Sequence, residues 1–237
     1  NVDSPEALEE IFWRVKLQKN YIYSNKLVLH KADEFTINEF QSFVSLILQK
    51  YKKSIYLSKN NNNILRLESI IHAYSNCLIL IPFRDPLQQA YSLLSQHEKF
   101  IKIHKDDKFI RQYMTYLVHH EFGEIHRPYQ FGDHENLKFN NRSLDYWLVQ
   151  WIKTYHYLSQ EKFINSKNIM FINFDLLCSD PKKILKIIFE KINIKDFHFN
   201  SNHEFQLPYR DVKSFNKELF QKASEIHKKL LELSSII

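Results

Sequence analysis

Apolar positions along the chain fall into helical stripes separated by short uncharged runs. Behind Ser4-Pro5, the residues Leu8, Ile11, Phe12 and Val15 recur at helical spacing, with Ser as cap and Pro as first helical residue. A second stripe, Phe40, Phe43, Val44, Ile47, Leu48 and Tyr51, predicts a helix capped by Asn38. Residues 54–58 (Ser-Ile-Tyr-Leu-Ser) read as a short strand, followed by Lys59, an asparagine loop and a helix over about 64–74. Residues 77–81 are apolar and uncharged, as in a strand buried on both faces. Asp85 is a good N-cap and Pro86 a good first helical residue, and Leu87, Ala90, Tyr91 and Leu94 follow at helical spacing. Ser143 caps a stripe of Leu144, Trp147, Leu148, Trp151, Ile152, Tyr155 and Leu158. Residues 169–174 predict the next strand, and Asp180-Pro181 opens a helix bearing Ile184, Leu185 and Ile188. A last helix over about 214–233 faces Leu219, Phe220, Ala223, Ile226 and Leu230 inward, after an irregular segment, 195–213.

Strands alternate with helices. That order predicts an α/β fold of three layers, a mostly parallel sheet flanked by helices, with ligands gathering at the carboxyl ends of the strands. Lys59 and Arg84 both follow predicted strands. No linker rich in Pro, Gly or Ser divides the 237 residues, so one domain, 1–237, is expected.

Charge adds a direction. The formal net charge is +6 and the pI about 9.1, which suits an anionic cofactor or a polyanionic partner. The lysines are scattered, and pairs such as Lys52-Lys53 read as solvated faces, so a nucleic-acid track is not expected. No apolar run approaches a membrane span, so no membrane partner is expected. The two cysteines, Cys77 and Cys178, fall in or just after predicted buried strands, which implies reduced thiols and a cytoplasmic setting. The run Asn60 to Asn63 suggests no mechanism.

The candidate chemistry begins at Arg84. A buried strand ends there and a helix starts, offering a guanidinium fork, unpaired N–H groups and, two turns in, the Ser92 hydroxyl: an anion site fit for a phosphate. With its eight-residue spacing from Arg84 to Ser92, this stretch resembles the nucleotide 3′-phosphate motif of sulfotransferases that use 3′-phosphoadenylyl sulfate. The later segment Phe171-Ile-Asn-Phe-Asp-Leu-Leu-Cys-Ser-Asp-Pro181 resembles the strand, acidic loop and Asp-Pro helix start of the same family, and Tyr113 to Pro128 resembles a segment of a bacterial sulfotransferase-like subgroup. The resemblance covers most of residues 1–192. It implies a sulfotransferase fold, similar to that of P-loop NTPases, and sulfuryl transfer to a hydroxyl or amine of an unidentified small-molecule or carbohydrate acceptor, with no metal required.

Residue by residue, it implies Arg84 and Ser92 on the 3′-phosphate, with Phe174 against the adenine where many relatives have a tyrosine. Lys59 stands where the family has a lysine near the reacting sulfate. Two residues on, the family's catalytic histidine is replaced by Asn61. Replacement bases are sought in the stretch holding His119, His120, Glu121, Gly123, His126 and Arg127, where histidines and charges concentrate. One reading makes His120 or Glu121 the base, with His119, His126, Arg127 and also His97 toward the acceptor; the other is a helix end with capping histidines and Glu121 paired to Arg127. A zinc site built from His119, His120 and His126 fits no ligand spacing with a known mechanism and is not expected. Arg210 and Lys213, with His198 and His203 in the irregular segment, either close over a nucleotide or belong to a surface loop.

One family feature is missing. A glycine-bearing strand-loop-helix for the 5′-phosphosulfate is not visible, and the two glycines, Gly123 and Gly132, follow no predicted strand. Either that part lies upstream of the residues considered, which is the expectation, or this is a degenerate member unable to hold the donor. The alternatives to an enzyme are therefore a non-catalytic module that binds a 3′-phosphonucleotide and, from another class, a basic nucleic-acid-associated protein.

Overall fold

The computed structural model describes residues 5–132, 139–194 and 209–235. In chain order the elements are α1 (Pro5–Tyr21), β1 (Leu27–Val28), α2 (Glu34–Tyr51), a 3-10 turn (Asn61–Arg66), α3 (Leu67–Ala73), β2 (Ile79–Phe83), α4 (Pro86–Asp106), α5 (Lys108–Tyr116), a second 3-10 turn (Gly123–Ile125), β3 (Tyr129–Gln130), α6 (Leu144–Leu158), α7 (Glu161–Ile164), β4 (Ile169–Asn173), α8 (Phe174–Ser179), α9 (Pro181–Lys191) and α10 (Lys217–Ser235). The class is α/β, with short parallel strands among many helices. Among the described residues no helix is long and apolar enough to cross a membrane. The chain forms two compact units, one of Asn1–Cys77 and Ser95–Asn136, the other of Leu78–Leu94 and Leu137–Ile237.

In the second unit β2 lies parallel to β4, in register from Ile79 opposite Ile169 to Phe83 opposite Asn173. The first strand sits two residues later than the apolar run suggests, and it is not buried on both faces: Ile81 and Phe83 are buried while Leu80 is 40% exposed. β4 is buried from Ile169 to Ile172, and Met170 and Ile172 pack with Ile188 of α9, flanked by Ile184 and Leu185. Phe174 begins a helix rather than ending the strand, because the Asn173 side chain accepts from the N–H groups of Asp175 and Leu176. The caps at Ser143 and Asp180 form as expected. The α6 stripe is core through Trp147, Leu148, Trp151, Tyr155 and Leu158, and α10 turns Leu219, Ala223 and Leu230 inward.

The first unit departs further from its hydrophobic pattern. Helix α1 buries Trp13, Leu17 and Tyr21 together with Glu9 and Glu10, while Val15 is exposed. The carboxylates are inside because Arg66 is there too, 1% exposed, forking both guanidinium nitrogens onto Glu10 at 2.9 and 3.1 Å. Trp13 and Tyr21 cover that guanidinium, with ring centroids 5.0 and 5.1 Å from its carbon, and Tyr21 donates to Glu10 at 2.5 Å. Helix α2 starts five residues before the expected position; Asp33 is its cap, accepting from Thr36 N–H at 2.8 Å. Residues 54–58 form no strand, and Ile55 and Leu57 are exposed. Two short strands not foreseen, β1 and β3, instead pair parallel with each other, and Gly132 follows β3 with φ of 80°.

The asparagine run is the hub of this unit. Asn60 donates to Glu10 and Asn63 to Glu9; Asn61 donates to Glu121 at 3.0 Å; Asn62 donates to the Val118 carbonyl and accepts from Tyr129. Four neighbouring amides thus tie the 3-10 turn to α1, to residues 118–121 and to β3. Each has a separate partner, which gives the run the structural role its sequence did not suggest.

Candidate functional site

The phosphate-type site of the second unit is built at the carboxyl end of β2. Asp85 accepts from Gln88 N–H at 2.9 Å and starts α4, so the first turn of that helix faces the strand end that carries Arg84. A cavity of about 270 Å³ opens there, where Arg84, Gln89, Ser92 and Phe174 surround the apolar Pro82, Phe83 and Leu93. Arg84 and Ser92, eight residues apart, thereby share one cavity, as their spacing on a strand-to-helix junction requires. The Arg84 guanidinium lies over the Phe174 ring at 5.8 Å, so Phe174 orients the cation as well as lining the cavity.

Arg210 and Lys213 are exposed. The Arg210 backbone is held by a reciprocal pair of bonds with Gln88, whose Nε2 donates to its carbonyl and whose Oε1 accepts its N–H, both at 2.8 Å. The stretch after 209 is therefore pinned to the first turn of α4, leaving the Arg210 guanidinium in solvent. Lys213 pairs with Asp211 at 3.4 Å. His198 and His203 lie outside the described residues. Gln88 and Gln89 were not singled out in the sequence; only the first-turn position after Asp85-Pro86 marks them.

The first unit holds the remaining candidates. Lys59 is exposed on the coil before the 3-10 turn rather than behind a strand. The histidine-rich segment forms a tight loop whose backbone is held by imidazole rings from two sides. From α4, His97 Nδ1 accepts Gly123 N–H at 3.1 Å and His104 Nδ1 accepts Glu124 N–H at 3.2 Å. From the loop itself, the ring N–H of His120 donates to Ile125 O at 3.0 Å and that of His126 to His120 O at 3.2 Å. Four rings thus serve four backbone groups.

Burial follows those roles. His97 is 0% exposed, which removes it from an exposed helix face, and His120 is 2% exposed. Burial pushes His120 and His126 down to about 4, helped by Arg127 for the first and His97 for the second, so both rings are neutral near pH 7. Gly123 has φ of 76°, and a Cβ there would collide with the His104 ring, so the loop needs glycine on both counts. His104 carries no sequence signal beyond lying seven residues after His97 on one helix face.

Glu121 differs from these rings because its contacts are to side chains. Burial alone would raise its pKa, but His119, 3.6 Å away, and the Asn61 amide hold it below the usual carboxylate range. Among the described residues Glu121 is partnered by His119 and Asn61 rather than by Arg127, whose backbone N–H donates to His120 O at 2.8 Å. Among the described residues no three His, Cys, Asp or Glu side chains are grouped as metal ligands. Cys77 and Cys178 are half-buried and form no disulfide.

No family model matches the chain, and no curated protein matches it. Among solved structures, the crystal structure of mouse sulfotransferase SULT7A1 complexed with PAP is similar over 96% of this chain and 70% of that one, at 14% identity and a TM-score of 0.35. A likeness this loose assigns neither a ligand nor an activity.

Proposed function

We propose that the chain binds the 3′-phosphate end of 3′-phosphoadenylyl sulfate and takes part in sulfuryl transfer to a hydroxyl or amine of a small-molecule or carbohydrate acceptor. The observation that carries this reading is the cavity shared by Arg84, Ser92 and Phe174 at a strand-to-helix junction, with the family's eight-residue spacing. There the guanidinium and the serine hydroxyl take phosphate oxygens, the α4 start adds its positive dipole end, and Phe174 offers a face to the base. Arg210, pinned beside the first turn by Gln88, and Lys213 supply further positive charge.

On this reading Glu121 is the base. Its neighbour Asn61 occupies the position where the family has its catalytic histidine, two residues after Lys59, and hydrogen-bonds to the carboxylate. The base must take the acceptor's proton as its oxygen or nitrogen bonds to sulfur and the bond from sulfur to the 5′-phosphate oxygen breaks, releasing 3′,5′-adenosine bisphosphate, while Lys59 steadies charge on the transferring group. His120 and His126, each engaged with a backbone carbonyl, shape the loop that carries Glu121.

A second reading, a 3′-phosphonucleotide-binding module without turnover, is favoured by one observation: all four loop-holding histidines are occupied with backbone groups. Titration calorimetry with 3′,5′-adenosine bisphosphate tests what the two share. Micromolar binding that Arg84→Ala lowers by about 100-fold, the loss of a charge-assisted bidentate contact, supports the site. Absence of binding by the wild-type chain refutes it. Release of 3′,5′-adenosine bisphosphate from the sulfated donor in the presence of an acceptor panel then separates transferase from binding module.

A further inference from the structure

Gln89 lies in the first turns of α4 and lines the same cavity as Arg84 and Ser92. Its amide has a fixed orientation. Trp151 Nε1 donates to Gln89 Oε1 at 3.1 Å, and an indole nitrogen can only donate, so the atom facing it must be the amide oxygen. Tyr155 adds a longer contact to the same oxygen at 3.4 Å while donating its proton to Pro82 O at 2.7 Å. Trp151 is 2% exposed and Tyr155 4% exposed, so the groups that hold the oxygen are part of the core. With the oxygen committed to α6, the end of Gln89 left for the cavity is its NH2 group.

We propose that Gln89 is a ligand-contacting donor, its Nε2 hydrogens directed at an anionic oxygen of a nucleotide phosphate held by Arg84. This rests on reading the cavity as a 3′-phosphate site. A neutral amide suits the task beside a guanidinium: it adds directed hydrogen bonds without a second positive charge, and its pre-set orientation removes the entropy that a free glutamine would lose on binding. It also makes this part of the cavity favour acceptor oxygens, because the Arg84 guanidinium and the Gln89 NH2 group can only donate.

The test is titration calorimetry of 3′,5′-adenosine bisphosphate against wild type, Arg84→Ala and Gln89→Glu, each with a thermal melt. Gln89→Glu keeps the shape and an oxygen for the Trp151 N–H, and replaces the donor with a carboxylate oxygen facing the anion. With an unchanged melting temperature its affinity is expected to fall roughly 10- to 100-fold. Gln89→Met, which removes the donor without adding charge, is expected to fall about 5-fold. If wild type binds, Arg84→Ala loses binding and both Gln89 variants bind as wild type does, the inference is overturned and the cavity reading stands. If wild type does not bind, both fall together.

Discussion

Lowering the pH from 7.5 to 5 is expected to strip the first unit of a large part of its stability, because three of its imidazoles are folded in a neutral state. His30, His120 and His126 are all held at about 4, against 6.5 for an ordinary histidine. In each case burial is the main cause. For His30 the Arg66 guanidinium is second, and it donates through Nε to His30 Nε2 at 3.1 Å, leaving no place for a ring proton there. A folded pKa below the unfolded one means that the unfolded chain binds more protons. Stability is then full above about pH 6.5 and is lost as pH falls from there toward 4. At pH 5 an unfolded histidine is almost fully protonated and one with a pKa of about 4 is almost bare. Linkage puts the loss at about 2 kcal/mol for fully buried His120 and somewhat less for half-buried His30 and His126, so ~4–6 kcal/mol together. That is comparable to the whole stability of a typical domain, roughly 5–15 kcal/mol. Glu10 and Glu121, both held below the usual carboxylate range, add losses only at lower pH. Urea melts at half-unit pH steps, followed by circular dichroism, give the free energy and, from its slope, the protons taken up on unfolding. Roughly two to three protons are expected at pH 5, and His126→Asn should remove close to one. A stability that is flat between pH 7 and 5 would refute the assignment of these rings as neutral hydrogen-bonding parts.

Two other substitutions probe the same unit. Gly123→Ala forces a side chain into a positive φ and into the His104 ring; a cost of about 2–4 kcal/mol is expected in thermal or urea melts, and a change under about 0.5 kcal/mol would show that the loop does not need the close approach. Arg66→Met leaves the Glu10 carboxylate buried without its cation and should cost about 3–5 kcal/mol, whereas the double change Glu10→Leu with Arg66→Met should recover most of that; equal losses in single and double variants would argue against a coupled pair.

The elements that were legible in the sequence are those whose local chemistry and burial agree. Asp85-Pro86, Ser143 and Asp180-Pro181 each combine a capping side chain with a following apolar stripe, and each starts a helix where expected. Arg84, Ser92 and Phe174 share a cavity because an arginine at a strand end and a serine two turns into the next helix are brought together by geometry that the strand and helix periods already fix. The misreadings fall where long-range partners decide, as for buried polar groups, or where residue type leaves a choice open. A hydrophobicity pattern counts Glu9 and Glu10 as solvent-facing, yet they form the inner face of α1 because Arg66, 56 residues after Glu10, is there to meet them. Likewise Asn38 and Asp33 are both acceptable caps by residue type, and only the bond to Thr36 N–H decides between them. The serine-bounded run 54–58 has strand composition but no neighbour to pair with among the described residues, and composition carries no information about pairing.

The histidine-rich loop shows how this ambiguity bears on mechanism. Clustered imidazoles in a short stretch invite a catalytic reading, but His97 and His104 accept backbone N–H groups while His120 and His126 donate to backbone carbonyls. A ring with one nitrogen committed to the backbone is held in a single tautomer, and one whose pKa is near 4 is a poor proton acceptor at neutral pH. Basicity does not separate His120 from Glu121, but burial does: His120 is 2% exposed, whereas the Glu121 carboxylate is bonded by the Asn61 amide, and on the proposed function that places the base at Glu121. The carboxylate is itself held low by His119 and Asn61, so it must gain basicity when an acceptor arrives. Binding that displaces the Asn61 amide would do this, since losing a donor to the charged form raises a carboxylate pKa. On the proposed function Asn61 would then act by releasing its hydrogen bond rather than by carrying a proton.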